Sequence, residues 1–531
     1  MNKLRIGVLD LVTKGPESGM FSKVMNANLV SIMPQVIATW CEQEGHEVIF
    51  RCYTGSENLE EELPPDVDLV FIGAFTEAAQ LAYAVSNIFR SRGAVTVIGG
   101  PHARCYPQDA QKYFDYVLGF TDRSVLQEVL ADAAPHRPLG RRLSAAQQPS
   151  HLPGVEERWK FIEPTLRKAP FIKMVPMIGS LGCPYTCSFC IDAEIPYQPL
   201  DFDTLKRDLR FLRTKFKRPL VGWHDPNFGV RFNDYMDAIE DAVPPGSIDF
   251  VAESSLSLLT EAHVKRMARV GFGGILPGIE SWFSLGGKSR TGALEGMEKV
   301  RQVSAHVNMI LEHIPYMQTN FVFGLDCDEG SEPFELTKRF VDMSPGVFPG
   351  YSLLTAFGQA APLNLEYQRA GRVLPHPHFL LNNHHAMNVT PKNYTWKQFY
   401  DGVVGITEHT YSWSAVAKRY RANRGFIPSM MNLIRGVSSE GTGRTRYYRE
   451  LRGLLDTDPH IQKYLAGETT EVPQFYTDKL RRNLGPFYQH LPSGSIEHDA
   501  YAYMKSAEPP SKPLVFHPLD EPSLTTQASA S

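Results

Sequence analysis

Three cysteines stand within eight residues of this chain, Cys183-x3-Cys187-x2-Cys190, and only four others occur in its 531 residues. Spacings of four and three would set three sulfurs on one helical face. Gly182 and Pro184 flank the first cysteine, however, and favour a loop. Three thiolates converging from a loop hold three irons of a 4Fe–4S cluster, which normally takes four cysteine ligands. The fourth iron is then open to an exogenous ligand. A zinc site generally pairs C-x2-C with a second such pair, and the chain has none. Three inert cysteines crowded together are a poor alternative in so cysteine-poor a chain. Cys41, Cys52, Cys105 and Cys327 read as small apolar packing residues. An odd cysteine count, thinly spread, argues against a disulfide framework and for a reducing, cytoplasmic setting.

The elements around this cluster predict a β/α repeat. VPMIGS (175–180) precedes the cysteines as a short apolar strand, and strand-like runs recur at 220–225, 248–253, 273–279, 307–311 and 318–324. Helical patterns separate them at 202–216, 231–242, 260–270, 292–305 and 333–342. Six such units suit an open partial (β/α)6 barrel rather than a closed one of eight. Chemistry in such barrels collects at the C-terminal strand ends. There lie Asp225-Pro226-Asn227-Phe228, Glu253-Ser254-Ser255 and Gly278-Ile279-Glu280-Ser281. Asn227 and Ser255 read as ordinary helix caps. Glu280 is a carboxylate suited to accept hydrogen bonds from ribose hydroxyls.

The first 140 residues also alternate strand and helix. Strands are predicted at 4–11, 46–53, 68–76 and 95–100, the last two almost continuously apolar, as parallel strands covered on both faces are. Leu81, Val85, Ile88 and Phe89 form one helical stripe within 77–92. The expectation is a doubly wound, Rossmann-like sheet with its ligand site at the C-terminal strand ends. Thr76 and Gly99-Gly100-Pro101-His102 mark that edge, where paired glycines let a backbone approach a bulky ligand. No G-x-G-x-x-G fingerprint occurs, which disfavours a dinucleotide.

C-x3-C-x2-C with an aromatic, Phe189, before the last cysteine resembles the signature of the radical S-adenosylmethionine (SAM) superfamily. VTVIGGPHA (95–103) resembles the cobalamin-binding domain that precedes many of these enzymes. The resemblance implies that Cys183, Cys187 and Cys190 hold a 4Fe–4S cluster whose open iron chelates the amino and carboxylate groups of SAM. Reduction would then yield a 5′-deoxyadenosyl radical. It places Phe189 beside the adenine and assigns Gly278, Ile279, Glu280 and Ser281, with Glu253 and Ser254, to SAM. It assigns Thr76, Gly99, Gly100, Pro101 and His102 to cobalamin. Two departures stand out. The D-x-H-x-x-G motif that supplies a lower axial histidine is absent, so His102 reads as a loop or cofactor-edge residue. FVFGLD carries Asp326-Cys327 where the family has Pro-Gly, which touches the adenine-side contacts near Leu325.

The resulting organisation is a cobalamin-type domain (1–140), a linker (141–168), a radical SAM partial barrel (169–355), a mostly helical cap (356–506) and a disordered tail (507–531). The segment 353–374 resembles the end of the radical SAM core in the cobalamin subgroup. His376, His378, His384 and His385 lie in a Pro- and Asn-rich loop with no helical i, i+4 pair, which favours a polar or substrate-facing loop over a second metal. Nine Lys/Arg against two Glu in 417–452 suit a solvated helix face, or a surface meeting an acidic substrate or membrane. Globally, 43% hydrophobic residues exclude wholesale disorder, and a net charge of −4 offers no footprint for nucleic acid. No signal-peptide h-region or transmembrane run is present. The expected activity is radical chemistry on an unactivated carbon of an organic substrate, with methyl transfer from methylcobalamin and electrons from a donor such as flavodoxin or ferredoxin. A rearrangement, cyclisation or oxidation without methyl transfer is the rival enzyme reading. An iron–sulfur or corrinoid sensor is the non-enzymatic one.

Overall fold

The computed structural model describes residues 3–16, 25–133, 139–374 and 386–496. The histidine loop 376–385 and the tail 507–531 lie outside these residues.

Six parallel strands build the first sheet: β1 (Arg5–Leu11), β2 (Glu47–Tyr53), β3 (Leu69–Ala74), β4 (Val95–Gly99), β5 (Tyr116–Leu118) and β6 (Arg141–Leu143). Their order is β2-β1-β3-β4-β5-β6. The chain therefore reverses direction across the sheet between β1 and β3, and a crevice opens at the carboxyl ends of those strands. Helices cover both faces. The Ala79–Ser91 helix buries Leu81, Val85 and Phe89 completely, as its apolar period requires.

Six further parallel strands form the second sheet: β7 (Met174–Met177), β8 (Leu220–Trp223), β9 (Asp249–Ser255), β10 (Phe272–Glu280), β11 (Tyr316–Phe323) and β12 (Phe348–Leu353). They lie in sequence order, and β7 and β12 are the free edges of an open partial barrel. One expected strand is corrected. Residues 307–311 belong to the Gly296–His313 helix, where Val300, Val303, Val307 and Ile310 form one buried helical stripe. The sixth strand is Phe348–Leu353 instead. Its Pro349 and Gly350 disguise it, and its edge position tolerates the missing proline N–H.

Residues 141–168, expected as a linker, carry more structure than their prolines suggest. β6 extends the first sheet, and Val155–Lys168 is a 14-residue helix with Pro164 inside it. That helix touches both halves of the molecule. Phe161 meets Phe50 of β2 at 5.9 Å between ring centroids, and Trp159 meets Phe211 of the first barrel helix at 5.4 Å. Beyond β12 the described residues up to 496 are mainly helical. The Trp396–Tyr411 helix buries Phe399, Tyr400, Val403 and Ile406 in the core shared with the barrel.

Candidate active site

The cysteine loop is held at its start by one carboxylate. Asp225, buried just past β8, accepts hydrogen bonds from the Gly179 N–H at 2.9 Å, the Ser180 hydroxyl at 2.6 Å and the Tyr235 phenol at 2.6 Å. Burial raises its carboxyl above the ordinary range, and these three donors work against that shift. Gly182 sits at φ 69, where a side chain would overlap the Ile195 and Pro196 carbonyls. The three cysteines occupy loop and turn, as Gly182 and Pro184 led one to expect, not a helix. The Cys183 N–H donates to the Ile195 carbonyl (3.2 Å), the Cys190 N–H to the Cys187 carbonyl (2.8 Å), and the Asp192 N–H to the Cys190 sulfur (3.4 Å). The cap reaches the same loop, since the Leu363 N–H donates to the Ser188 carbonyl at 2.9 Å.

Cys187 is buried, and Cys183 and Cys190 are half-buried. Burial pushes all three thiols up, Cys190 to about 12, with the other two thiols adding to the shift at Cys190. Lys288 acts in the opposite sense at Cys183 and Cys187. Among the described residues no three His, Cys, Asp or Glu side chains gather closely enough for a single metal ion. Thiolates that each bind a different iron of a cubane need no such convergence, so the donor set fits a cluster better than zinc.

The strand ends expected to meet SAM converge on that cation. Lys288 donates to Glu280 Oε1 at 2.6 Å, and both side chains are largely buried. Glu280 adopts φ 66, a left-handed conformation rare for a residue with a side chain, at an irregularity in the β10–β11 pairing. Gly278 makes this possible, because a Cβ there would overlap Glu280 Oε1. Glu253 is exposed at the end of β9, where its backbone carbonyl accepts from the Phe228 N–H at 2.9 Å. Ile279 is a core residue, and Ser254 donates to the Phe228 carbonyl at 2.8 Å. Ser281 accepts from the Phe283 N–H at 3.1 Å, and Phe189 packs half-buried against the core. Lys288 had no motif to announce it. Its signal is a Gly-Gly-Lys-Ser turn between two residues of positive φ, Leu285 and Arg290.

The Asp326-Cys327 departure has its own construction. Arg372 grips both Asp326 oxygens at 2.8 Å, and Asp328 accepts from the Gly324 and Leu325 N–H groups at 3.0 and 3.2 Å. The strand-end turn is thus stabilised by two carboxylates, Asp326 through Arg372 and Asp328 through backbone N–H groups.

A cavity of about 290 Å³ separates the first sheet's carboxyl edge from the barrel, at the lower end of small-molecule sites. Ile32, Phe71, Gly99, Gly100 and Pro101 line one side, and Leu181, Gly182, Asp192, His224 and Pro226 line the other. Gly100, at φ 94, lies so near the Ala74 backbone that a side chain would crowd it. Thr76 and His102 do not line this cavity. Both are buried, and His102 faces the core, where its Nε2 lies 2.7 Å from the Tyr83 hydroxyl, which in turn donates to Asp109 at 2.8 Å. The first turn of the Pro101–Cys105 helix directs the ring inward, so His102 is a packing and hydrogen-bonding residue. His224, in contrast, faces the cavity, and burial lowers its pKa to about 4, so the ring is neutral at pH 7. Arg104 crosses between the halves, donating to the Ile191 carbonyl (2.7 Å) and the Asp192 carboxylate (3.1 Å), directly after the last cysteine.

No protein-family model matches the chain. It is 22% identical over 369 residues to bacteriochlorophyllide d C-12(1)-methyltransferase of Chlorobaculum tepidum, covering 66% of this chain and 76% of that protein. It is 24% identical over 325 residues to bacteriochlorophyllide d C-8(2)-methyltransferase of the same organism, covering 58% and 70%. Among solved structures, the radical S-adenosylmethionine methyltransferase TsrM from Kitasatospora setae, with cobalamin and a 4Fe–4S cluster bound, superimposes with a TM-score of 0.54. That match is 14% identical and covers 90% of this chain and 99% of TsrM. The cobalamin-dependent S-adenosylmethionine radical enzyme OxsB, with aqua-cobalamin bound, gives a TM-score of 0.54 at 11% identity, over 92% of this chain and 80% of OxsB. The chain has the fold of the cobalamin-dependent radical SAM enzymes. In sequence, the two Chlorobaculum tepidum relatives are both methyltransferases.

Proposed function

We propose that this chain is a cobalamin-dependent radical SAM methyltransferase that cleaves SAM reductively and places a methyl group on an unactivated carbon. One juxtaposition carries the reading. Leu181, Gly182 and Asp192 of the cysteine loop line the same cavity as Gly99 and Gly100 of the first sheet. On this reading the cysteine loop and the Gly99-Gly100 edge would serve one chamber.

Cys183, Cys187 and Cys190 would hold the cluster, and Gly99 and Gly100 would let a flat macrocycle lie against backbone. When bound, the cluster supplies the electron that opens the sulfonium of SAM, and the corrinoid supplies a transferable methyl group. The chain's own residues orient and enclose. Glu280, held by Lys288 through one oxygen, would keep its second oxygen for a ribose hydroxyl. Asp225 and Arg104 fix the two ends of the cysteine loop. His224 offers the chamber a neutral imidazole. Electrons come from a donor such as flavodoxin or ferredoxin, toward a loop whose Cys183 and Cys190 are partly exposed.

Anaerobic reconstitution tests this reading. The expected results are a broad visible iron–sulfur band, uptake of cobalamin, 5′-deoxyadenosine from SAM, and a labelled product from methyl-labelled SAM. Ser at any of the three cysteines abolishes the band and SAM cleavage. A protein that takes up no cobalamin overturns the methyltransferase reading, and cleavage that survives loss of the cysteines overturns the radical one.

A further inference from the structure

Large apolar side chains scattered singly over a surface need no explanation, but a cluster of them does. Ten stand exposed among the described residues, and four of these, Trp413, Tyr420, Phe426 and Ile427, fall within fifteen consecutive positions. They belong to two consecutive helices, Trp413–Ala422 and Phe426–Val437, joined by a short turn in which Gly425 takes φ 96. Trp413 and Phe426 are each 75% exposed and Ile427 is 68% exposed. Met430, Met431 and Ile434 continue the apolar surface of the second helix, each only partly covered.

The charge on this hairpin has one sign. Residues 413–437 contain five Lys/Arg and no Asp or Glu. Two of the five are structural. Arg419 is buried and donates to the Val347 carbonyl at 2.9 Å, and Arg435 donates to the Tyr316 hydroxyl at 2.7 Å and to Glu440 at 2.6 Å. The other three, Lys418, Arg421 and Arg424, are exposed and make no ion pair among the described residues, and Arg424 donates to the Glu312 carbonyl at 3.2 Å. The buried arginines thus dock one face of the hairpin on the barrel, and the apolar wedge and the charges of Lys418, Arg421 and Arg424 stay exposed to solvent.

Place decides between occupants. Tyr316 and Val347 stand at the beginnings of β11 and β12, so the hairpin closes the end of the barrel away from the cysteine loop. Eight residues of β11 at about 3.3 Å each put roughly 25 Å between that end and the strand's carboxyl end. An acidic electron donor docked there would be badly placed to reduce a cluster. A second copy of the chain is disfavoured as well, because a two-fold contact would set Lys418, Arg421 and Arg424 against themselves. An apolar tip rimmed by cations is the pattern that an anionic bilayer surface complements.

We infer that the Trp413–Val437 hairpin is a membrane-docking surface, seating Phe426 and Ile427 in the acyl boundary and Lys418, Arg421 and Arg424 among anionic headgroups. The net charge of the whole chain is −4, so the attraction is local to this end of the molecule. The inference rests on the hairpin, and only its exclusion of an electron donor leans on the reaction proposed above.

Co-sedimentation of the full chain with vesicles tests it, using phosphatidylcholine alone and phosphatidylcholine with phosphatidylserine. The expected result is binding to the anionic vesicles, with a blue shift of tryptophan fluorescence and weakening as salt rises. Phe426→Ser with Ile427→Ser lowers affinity by about tenfold or more. Lys418→Gln, Arg421→Gln and Arg424→Gln each lower it by roughly fivefold. Both sets keep the wild-type melting temperature, which separates lost docking from lost folding. Absence of vesicle binding by the wild-type chain overturns the inference. So does binding indifferent to both variant sets, or a dimer in sedimentation velocity that the Phe426/Ile427 variant dissolves while vesicle binding stays nil.

Discussion

Lys288 Nζ lies 2.6 Å from Glu280 Oε1, at a residue whose backbone is held at φ 66 and beside a glycine with no room for a methyl group. The carboxylate is therefore aimed by a cation, a strained backbone and a steric vacancy together. Gly278→Ala pushes Glu280 off this position, and Lys288→Met removes its partner. Each is expected to weaken SAM binding by about tenfold to a hundredfold, the value of one charge-assisted hydrogen bond. Calorimetric titration of SAM into the reconstituted protein measures this, with cluster absorbance unchanged.

Asp225 receives three buried donors, so its loss strands all of them. Asp225→Ala is expected to cost about 3 kcal/mol or more in denaturant unfolding, and Asp225→Asn distinctly less, since the amide keeps an acceptor oxygen. An equal cost for both substitutions would show that charge, and not the acceptor, matters.

Arg104 ties the first domain to the residues that follow Cys190. Its side chain is partly exposed, so the global penalty of Arg104→Ala is modest, about 1 kcal/mol. The local effect is expected to be larger in kind. The cluster bleaches several times faster under chelator, and Arg104→Lys recovers only part of the difference, because lysine cannot span carbonyl and carboxylate together.

His224 titrates near 4 in the folded chain because burial disfavours its charged form, against 6.5 for the free side chain. The unfolded state takes up the proton first. Stability from this residue is thus full above pH 6.5 and is lost progressively as pH falls toward 4. His224→Asn removes that dependence, so its stability relative to wild type is expected to improve between pH 6.5 and 4 in parallel denaturation curves. A constant difference across that range would refute the shift.

Much of this was legible in the chain. Continuous apolar runs mark β3 and β4, and alternating apolar spacing marks the barrel helices, because burial demands those periods locally. The crowding of Cys183, Cys187 and Cys190, with Gly182 and Pro184 beside them, announces a loop of three thiols through residue chemistry alone, and the structure does place them in loop and turn. Sequence and structure part where local signals conflict. Val307 to Leu311 is β-branched enough to mimic a strand, and Pro349-Gly350 hides a real one at a sheet edge. Pro164 similarly concealed a helix that joins the two halves.

The sequence by itself determined the β/α periodicity of the two sheets, the three thiols of the cysteine loop, the carboxylate at the Gly278–Ser281 strand end, and the one-signed charge of 413–437. Those properties follow from residue identity and short-range spacing. Only the tertiary structure decided that His102 turns into the core against Tyr83 while His224, far away in the chain, faces the inter-domain cavity. It alone paired Lys288 with Glu280, Arg104 with Asp192, and Arg435 with Tyr316. Such pairings depend on which strand ends meet in space. No local periodicity encodes that, because long-range contacts are set by packing of whole elements and not by the residues adjacent in sequence.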